Sequence, residues 1–138
     1  MKSLITTIVS AACMLLSVNS YASNPVKELA AKDVLHYYIE AVTLGSDTYH
    51  KYILADDFEY INTANQGKSN KKAYLQFLKE NKGYICDADT EYTILDQSGK
   101  SCLAKSTMTF KNFTRVDHIT MNNTEDGWKV SKIVTTYI

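Results

Sequence analysis

The chain of 138 residues has one proline, five glycines and no internal repeat or low-complexity tract. Repeat arrays and low-complexity segments are thereby excluded. It also lacks an excess of either charge, with 15 Lys and Arg against 15 Asp and Glu, so it carries no electrostatic footprint for nucleic acid. A glycine-rich phosphate loop, a paired CxxC and a supportable Ser-His-Asp spacing are all missing. His36 and His50 have no second ligand at metal spacing, and no metal or cofactor is expected.

Long apolar runs are scarce as well. The exception is Leu4 to Val18, which follows Lys2 and ends before the small residues Ser20 and Ala22. It falls short of the roughly 18 to 20 residues that a spanning helix needs, no stop-transfer cluster follows, and the pattern is that of a secretory signal peptide. Cys13 does not make it a lipoprotein signal, because Ser10 stands where a large aliphatic is usual and Met14, Leu15 and Leu16 continue the apolar run. The expectation is residues 1–22 as signal peptide and 23–138 as one exported domain, periplasmic or secreted, with no membrane span in the mature chain. Only Lys2 among the charged residues is lost on cleavage, so the balance stays near neutral.

After the leader the apolar spacing is helical. Pro25 suits a first helical turn after Asn24, and Val26, Leu29, Ala30, Val34, Tyr37, Tyr38, Ala41 and Val42 recur every three or four residues up to Gly45. A short helical stretch over Thr48 to Leu54 precedes DFEYINT, which alternates as a strand. Ser69 is positioned to cap a third helix, NKKAYLQFLKEN, with Tyr74, Leu75 and Leu78 on its inner face. Asp56 and Asp57 are neighbours on a strand, point to opposite faces and form no acid pair.

Beyond Gly83 the period falls to two. Cys86 to Ile94 and Ser101 to Lys111 read as a hairpin turning at DQSGK. Pairing Leu95 with Cys102 leaves Cys86 at the far end, roughly 30 Å away at about 3.3 Å per residue, so two free thiols are expected. The final hairpin turns at NNTEDG. Pairing Met121 with Trp128 across it sets Ile119 against Val130, Asp117 against Lys132 and Arg115 against Val134, matching apolar with apolar and acid with base. The other face carries Val116, His118 and Thr120 against Ile133, Ser131 and Lys129.

Helix, short helix, strand, helix and then long antiparallel strands ending in GWKVSK is the layout of the NTF2-like, or cystatin-like cone, fold. Within it YYIEAVTLGS, LADDFEYINT, KKAYLQFLKEN and VDHITM followed by DGWKVSKIV resemble the lumazine-binding and SnoaL-like branches, over about Leu29 to Tyr137. The resemblance is one of pattern and position. It implies an α+β cone, N-terminal helices packed on the concave face of a curved antiparallel sheet, with a conical pocket and a homodimer through the convex face. Ketosteroid isomerase and scytalone dehydratase share the fold, which serves binders and assembly modules too.

On that layout Asp117, Met121, Trp128 and Lys132 face the pocket, opposite Tyr37 or Tyr38 of the first helix and Phe58 or Tyr60 of the early strand. An aromatic cone with one ion pair suits a small, partly apolar or aromatic ligand. A lysine beside Asp117 lowers its basicity and favours ligand orientation over proton transfer. Alternation turns His118 to the convex face unless a bulge near Asn112 reverses it. The function expected is non-enzymatic binding of such a small molecule. Alternatives are an isomerase or dehydratase of the ketosteroid isomerase type using Asp117 or His118, and a structural or interaction module whose cone is filled by its own side chains.

Overall fold

A computed structural model describes residues 24–138. The expected signal peptide and cleavage point lie outside the described residues. Helix α1 spans Ala31–Thr43 and buries Val34, Leu35, Tyr38, Ile39 and Ala41, the side that the three-and-four spacing selects. It starts later than the spacing suggests. Asn24 holds a separate turn instead, its Oδ1 accepting from the Val26 N–H at 3.0 Å and its carbonyl from the Lys27 N–H at 3.2 Å. Ala30 then supplies an extended N-cap, while Val26 still packs fully buried in the core.

One helical turn, α2 (His50–Ile53), leads into strand β1 (Leu54–Asn62), which folds back on a short β2 (Gly67–Asn70) that the sequence pattern does not announce. Helix α3 covers Lys71–Glu80. Its cap is Asn70 and not Ser69, since the Asn70 side chain accepts the Ala73 N–H at 2.9 Å. Four long strands follow: β3 (Asp89–Ser98), β4 (Ser101–Thr109), β5 (Thr114–Thr124) and β6 (Gly127–Tyr137).

The six strands are ordered β2-β1-β6-β5-β4-β3 in one curved, unclosed sheet. Strand β1 runs parallel to β6 and every other pair is antiparallel, so the sheet is mixed where a purely antiparallel one was expected. The helices cover one face. Ala104, Ile119, Met121, Trp128, Val130 and Ile133 project from that face into a core shared with α1.

The last hairpin has a different register from the one its apolar matches suggest. Trp128 lies opposite Asn123, not Met121, because the strands continue to Thr124 and Gly127. Thr124 closes the turn, its hydroxyl donating to the Gly127 carbonyl at 2.8 Å and accepting the Asp126 N–H at 3.1 Å. A bulge then leaves Ser131 without a counterpart, as Thr120 pairs with Lys132 and Met121 with Val130. Asp117 therefore faces Thr135 and Arg115 faces Tyr137. The expected Asp117–Lys132 pair does not exist; Lys132 is exposed and its Nζ lies 3.8 Å from Glu59. Ile133, expected on the outer face, is fully buried in the core.

A second bulge, at Leu95, shifts the β3–β4 hairpin so that Cys102 pairs with Gln97. Cys86 precedes β3 and its thiol donates to the Val42 carbonyl at 3.2 Å, tying the segment to α1. Among the described residues Cys86 and Cys102 are free thiols.

Candidate functional site

The polar centre of the cone is Asp117, whose side chain has no exposure at all. Alternation along β5 puts Arg115, two residues earlier, on the same face. Its guanidinium grips the carboxylate in a fork, Nε to Oδ1 and Nη2 to Oδ2, each at 3.0 Å. From β6 the Thr135 hydroxyl donates to Oδ1 at 2.6 Å, and from α1 the Tyr38 hydroxyl donates to Oδ2 at 3.1 Å. Tyr74 of α3 lies 3.3 Å from the Tyr38 oxygen. With the Tyr38 proton committed to Asp117, Tyr74 is the donor between them.

Burial pushes the Tyr38 hydroxyl well above the ordinary tyrosine value, and the neighbouring Asp117 adds to the shift. Tyr74 is raised by burial too. For Arg115 burial works against the charge, yet Tyr38 and Asp117 beside it hold the guanidinium above its usual value. A carboxylate offers about four acceptor sites, and the four bonds to Asp117 occupy them. Two bonds leave Arg115 with further N–H donors.

Arg115 also lines a partly open chamber of about 100 Å³. The end of α1 contributes Ala41, Val42 and Gly45, and the end of α3 contributes Phe77, Leu78 and Asn81. Tyr84 and Cys86 complete the wall from the segment between α3 and β3. That segment is stitched to the end of α1 and the turn after it by two backbone bonds, the Cys86 N–H to the Thr43 carbonyl at 2.8 Å and the Gly83 N–H to the Gly45 carbonyl at 3.0 Å. Burial raises the Cys86 thiol pKa, so it serves as a wall and not as a thiolate. The chamber is thus mainly apolar, its polar groups including the Asn81 amide and a guanidinium whose charge is already balanced.

No family model matches the sequence, and no curated protein matches it either. Solved structures do. An NTF2-like protein of unknown function from Silicibacter pomeroyi superposes with a TM-score of 0.63 at 12% identity, covering 78% of this chain and 92% of that one. An NTF2-like protein from Cytophaga hutchinsonii, 15% identical, gives 0.64 with 78% and 94% covered. The fold is NTF2-like. A candidate ketosteroid isomerase from Shewanella frigidimarina shares it, with a TM-score of 0.61 at 12% identity over 75% of this chain and 92% of its own.

Within the NTF2-like cone the residues singled out from sequence divide into three groups. Tyr38 and Asp117 meet in the buried network, and Tyr60 reaches its edge, stacked on Tyr74 with ring centres 5.0 Å apart. Phe58, Met121 and Trp128 are buried packing residues, and Tyr37 sits half-buried against the Tyr49 ring at 4.6 Å. Lys132 and His118 are exposed, His118 on the face opposite Asp117. None of these lines the chamber. Arg115 is the residue that sequence reading passed over, although its spacing of two from Asp117 was a visible signal. Tyr74, Thr135 and the Asn81–Cys86 wall were not visible, because only docking of α3 and the true β6 register bring them in.

Proposed function

We propose that the protein is a non-enzymatic binding protein for a small, largely apolar molecule bearing a neutral hydrogen-bond acceptor, taken into the chamber with that acceptor against Arg115. The supporting observation is a largely buried guanidinium at the edge of a mainly apolar, partly open space, already neutralised by Asp117. A second anion there would share one cation with Asp117, and desolvating it would outweigh the attraction; a carbonyl or ether oxygen has no such penalty. Proton transfer by Asp117 is disfavoured, since its four acceptor sites are filled and none remains for a substrate proton. At about 100 Å³ the chamber is smaller than the cavity of about 150 Å³ that takes benzene, so a five-membered ring already fills it and extends toward its open side. A bicyclic ring of the lumazine kind would need the Asn81–Cys86 wall to move outward.

Export through the leader, to the periplasm or the medium, is part of the same proposal, and so is a homodimer through the outer sheet face. The test is direct binding of cyclopentanone and of cyclopentanecarboxylate, followed by NMR on the mature domain. The ketone should perturb Arg115 and Phe77 saturably while the carboxylate does not, and Ala41→Leu, which fills the chamber, should abolish the effect with the fold intact. Binding that survives Ala41→Leu, or a preference for the carboxylate, sinks the proposal.

A further inference from the structure

Away from the cone mouth, α3 carries a second feature. Lys72, Leu75, Gln76 and Lys79 are spaced as one helical face, and Lys82 follows just past the helix end. Opposite stand His50 and Lys51 of α2, with Asp47 before them. Together these residues line an open cleft of about 390 Å³. It is larger than the chamber at Arg115 and falls in the range of roughly 300 to 1,000 Å³ typical of ligand sites.

Charge is what distinguishes this cleft. In a chain whose acids and bases balance, it gathers four lysines and one carboxylate. Asp47 is committed to Lys82 at 2.9 Å, an ion pair that holds the aspartate below its ordinary pKa and the lysine above. Among the described residues Lys51, Lys72 and Lys79 enter no salt bridge, and the Lys51 ammonium lies 4.9 Å from the centre of the Tyr52 ring. Glu80, the nearest acid on α3, accepts the Gln76 amide at 3.1 Å. Burial lowers the His50 pKa, and its Nδ1 is shielded without a hydrogen-bond partner among the described residues. Leu75 supplies an apolar strip on the wall.

Like charges converging on a concave surface repel one another, and the potential they focus is strongest inside the cleft. From this convergence of Lys51, Lys72, Lys79 and Lys82 on one concave wall, we infer that the α2–α3 cleft is a second binding site, for a soluble organic or inorganic polyanion with clustered oxyanion groups, such as a diphosphate or a tricarboxylate. The unpaired ammonium groups of Lys72 and Lys79, with Lys51 beside them, exceed what one monovalent anion would compensate. The lysines act as point charges on flexible stems and adapt to either phosphate or carboxylate, unlike the planar fork of an arginine. The site is independent of the Arg115 chamber, with which it shares no lining residue.

Titration of the full mature domain with pyrophosphate and with citrate, followed by amide and lysine-methylene NMR, tests this. Saturable shifts confined to Lys72, Gln76, Lys79, Lys82 and the α2 turn are expected, weakening at least about tenfold when salt rises from roughly 20 to 200 mM. The double variant Lys72→Gln, Lys79→Gln should lose about tenfold or more in affinity, whereas Lys100→Gln, Lys105→Gln on the β3–β4 hairpin should bind as the parent does. All of these lysines are at least partly exposed, so both variants keep the parent melting temperature and remain interpretable. Equal loss in the two variants, or no saturable binding of either polyanion at low salt, overturns the inference. Binding to phosphatidylglycerol vesicles without binding to free polyanions overturns it too, in favour of a membrane surface.

Discussion

At the residue scale the cone is organised by one carboxylate that no water touches and four donors that hold it. Removing one partner of such a pair strands the other, which costs about 3–5 kcal/mol, whereas an apolar replacement of both is far milder. Arg115→Met should therefore destabilise by about that amount in urea unfolding, and Arg115→Met with Asp117→Leu by clearly less. Additive losses would mean that the two side chains do not act as a pair. Ser106, opposite Asp117 in the β4–β5 register, has a buried hydroxyl without a protein partner, so Ser106→Ala should be neutral or stabilising by up to about 1 kcal/mol. The tyrosines give the pH dependence. Their folded pKa values lie above the unfolded value of about 10, so their contribution is fully present below that pH and is lost as pH rises beyond it. Tyrosinate absorbance should show a final step coincident with unfolding at alkaline pH, reduced in Tyr38→Phe. Complete titration with the circular dichroism unchanged would contradict the burial argument. Asp117 was legible in the sequence as the polar centre. Its partner was misassigned to Lys132, because charge matching across an assumed turn outweighed the simpler fact that Arg115 shares its face.

Elements were legible wherever the apolar period is local. Helices α1 and α3 follow their three-and-four spacing, and β4 follows its alternation throughout. Register was not legible, for a reason visible in Val130-Ser131-Lys132-Ile133. Two polar residues between two apolar ones break a period of two, and a bulge lets both Val130 and Ile133 reach the core. Reading that break as an exposed turn of phase would have placed Ile133 correctly. The chamber wall raises a different question, since its closure depends on how near α1 and the segment after α3 can come. Gly45 has φ +62°, and a Cβ there would lie 2.5 Å from the Gly83 nitrogen and 2.6 Å from the Asn81 oxygen. Gly83 has φ +77° but open space around the same position. Gly83→Ala should therefore carry only the left-handed backbone penalty of about 1–2 kcal/mol. Gly45→Ala should exceed it and accelerate amide exchange at Gly83 and Cys86, whose bonds reach back to α1. Equal losses in the two variants would show that the wall parts easily from α1.

For the molecule as a whole, the α+β cone was readable because the order of helices and hairpins is written along the chain. The parallel β1–β6 pairing was not, because it joins segments separated by α3 and four strands, and neither segment carries a mark of the other. The mixed sheet has one face covered by helices and one face open. On the open face Leu103 is 38% exposed on β4, where Lys105 and Thr107 follow it, and Thr120, His118 and Val134 lie on the neighbouring strands. Such a mixed, broad surface gains from a second copy of itself, and a two-fold axis would place each Leu103 against its partner's sheet. Ile133 has no part in that contact, since it points into the core. Sedimentation equilibrium on the mature domain should show a dimer at micromolar concentration, and Leu103→Glu should give monomers with the parent circular dichroism and a melting temperature changed only by the lost association. The same substitution leaves the Arg115 chamber and the α2–α3 cleft untouched, so ketone and polyanion binding should persist in the monomer. A parent protein that sediments as a monomer would remove the homodimer from the proposal, and a dimer insensitive to Leu103→Glu would move the interface to the exposed edge of β3.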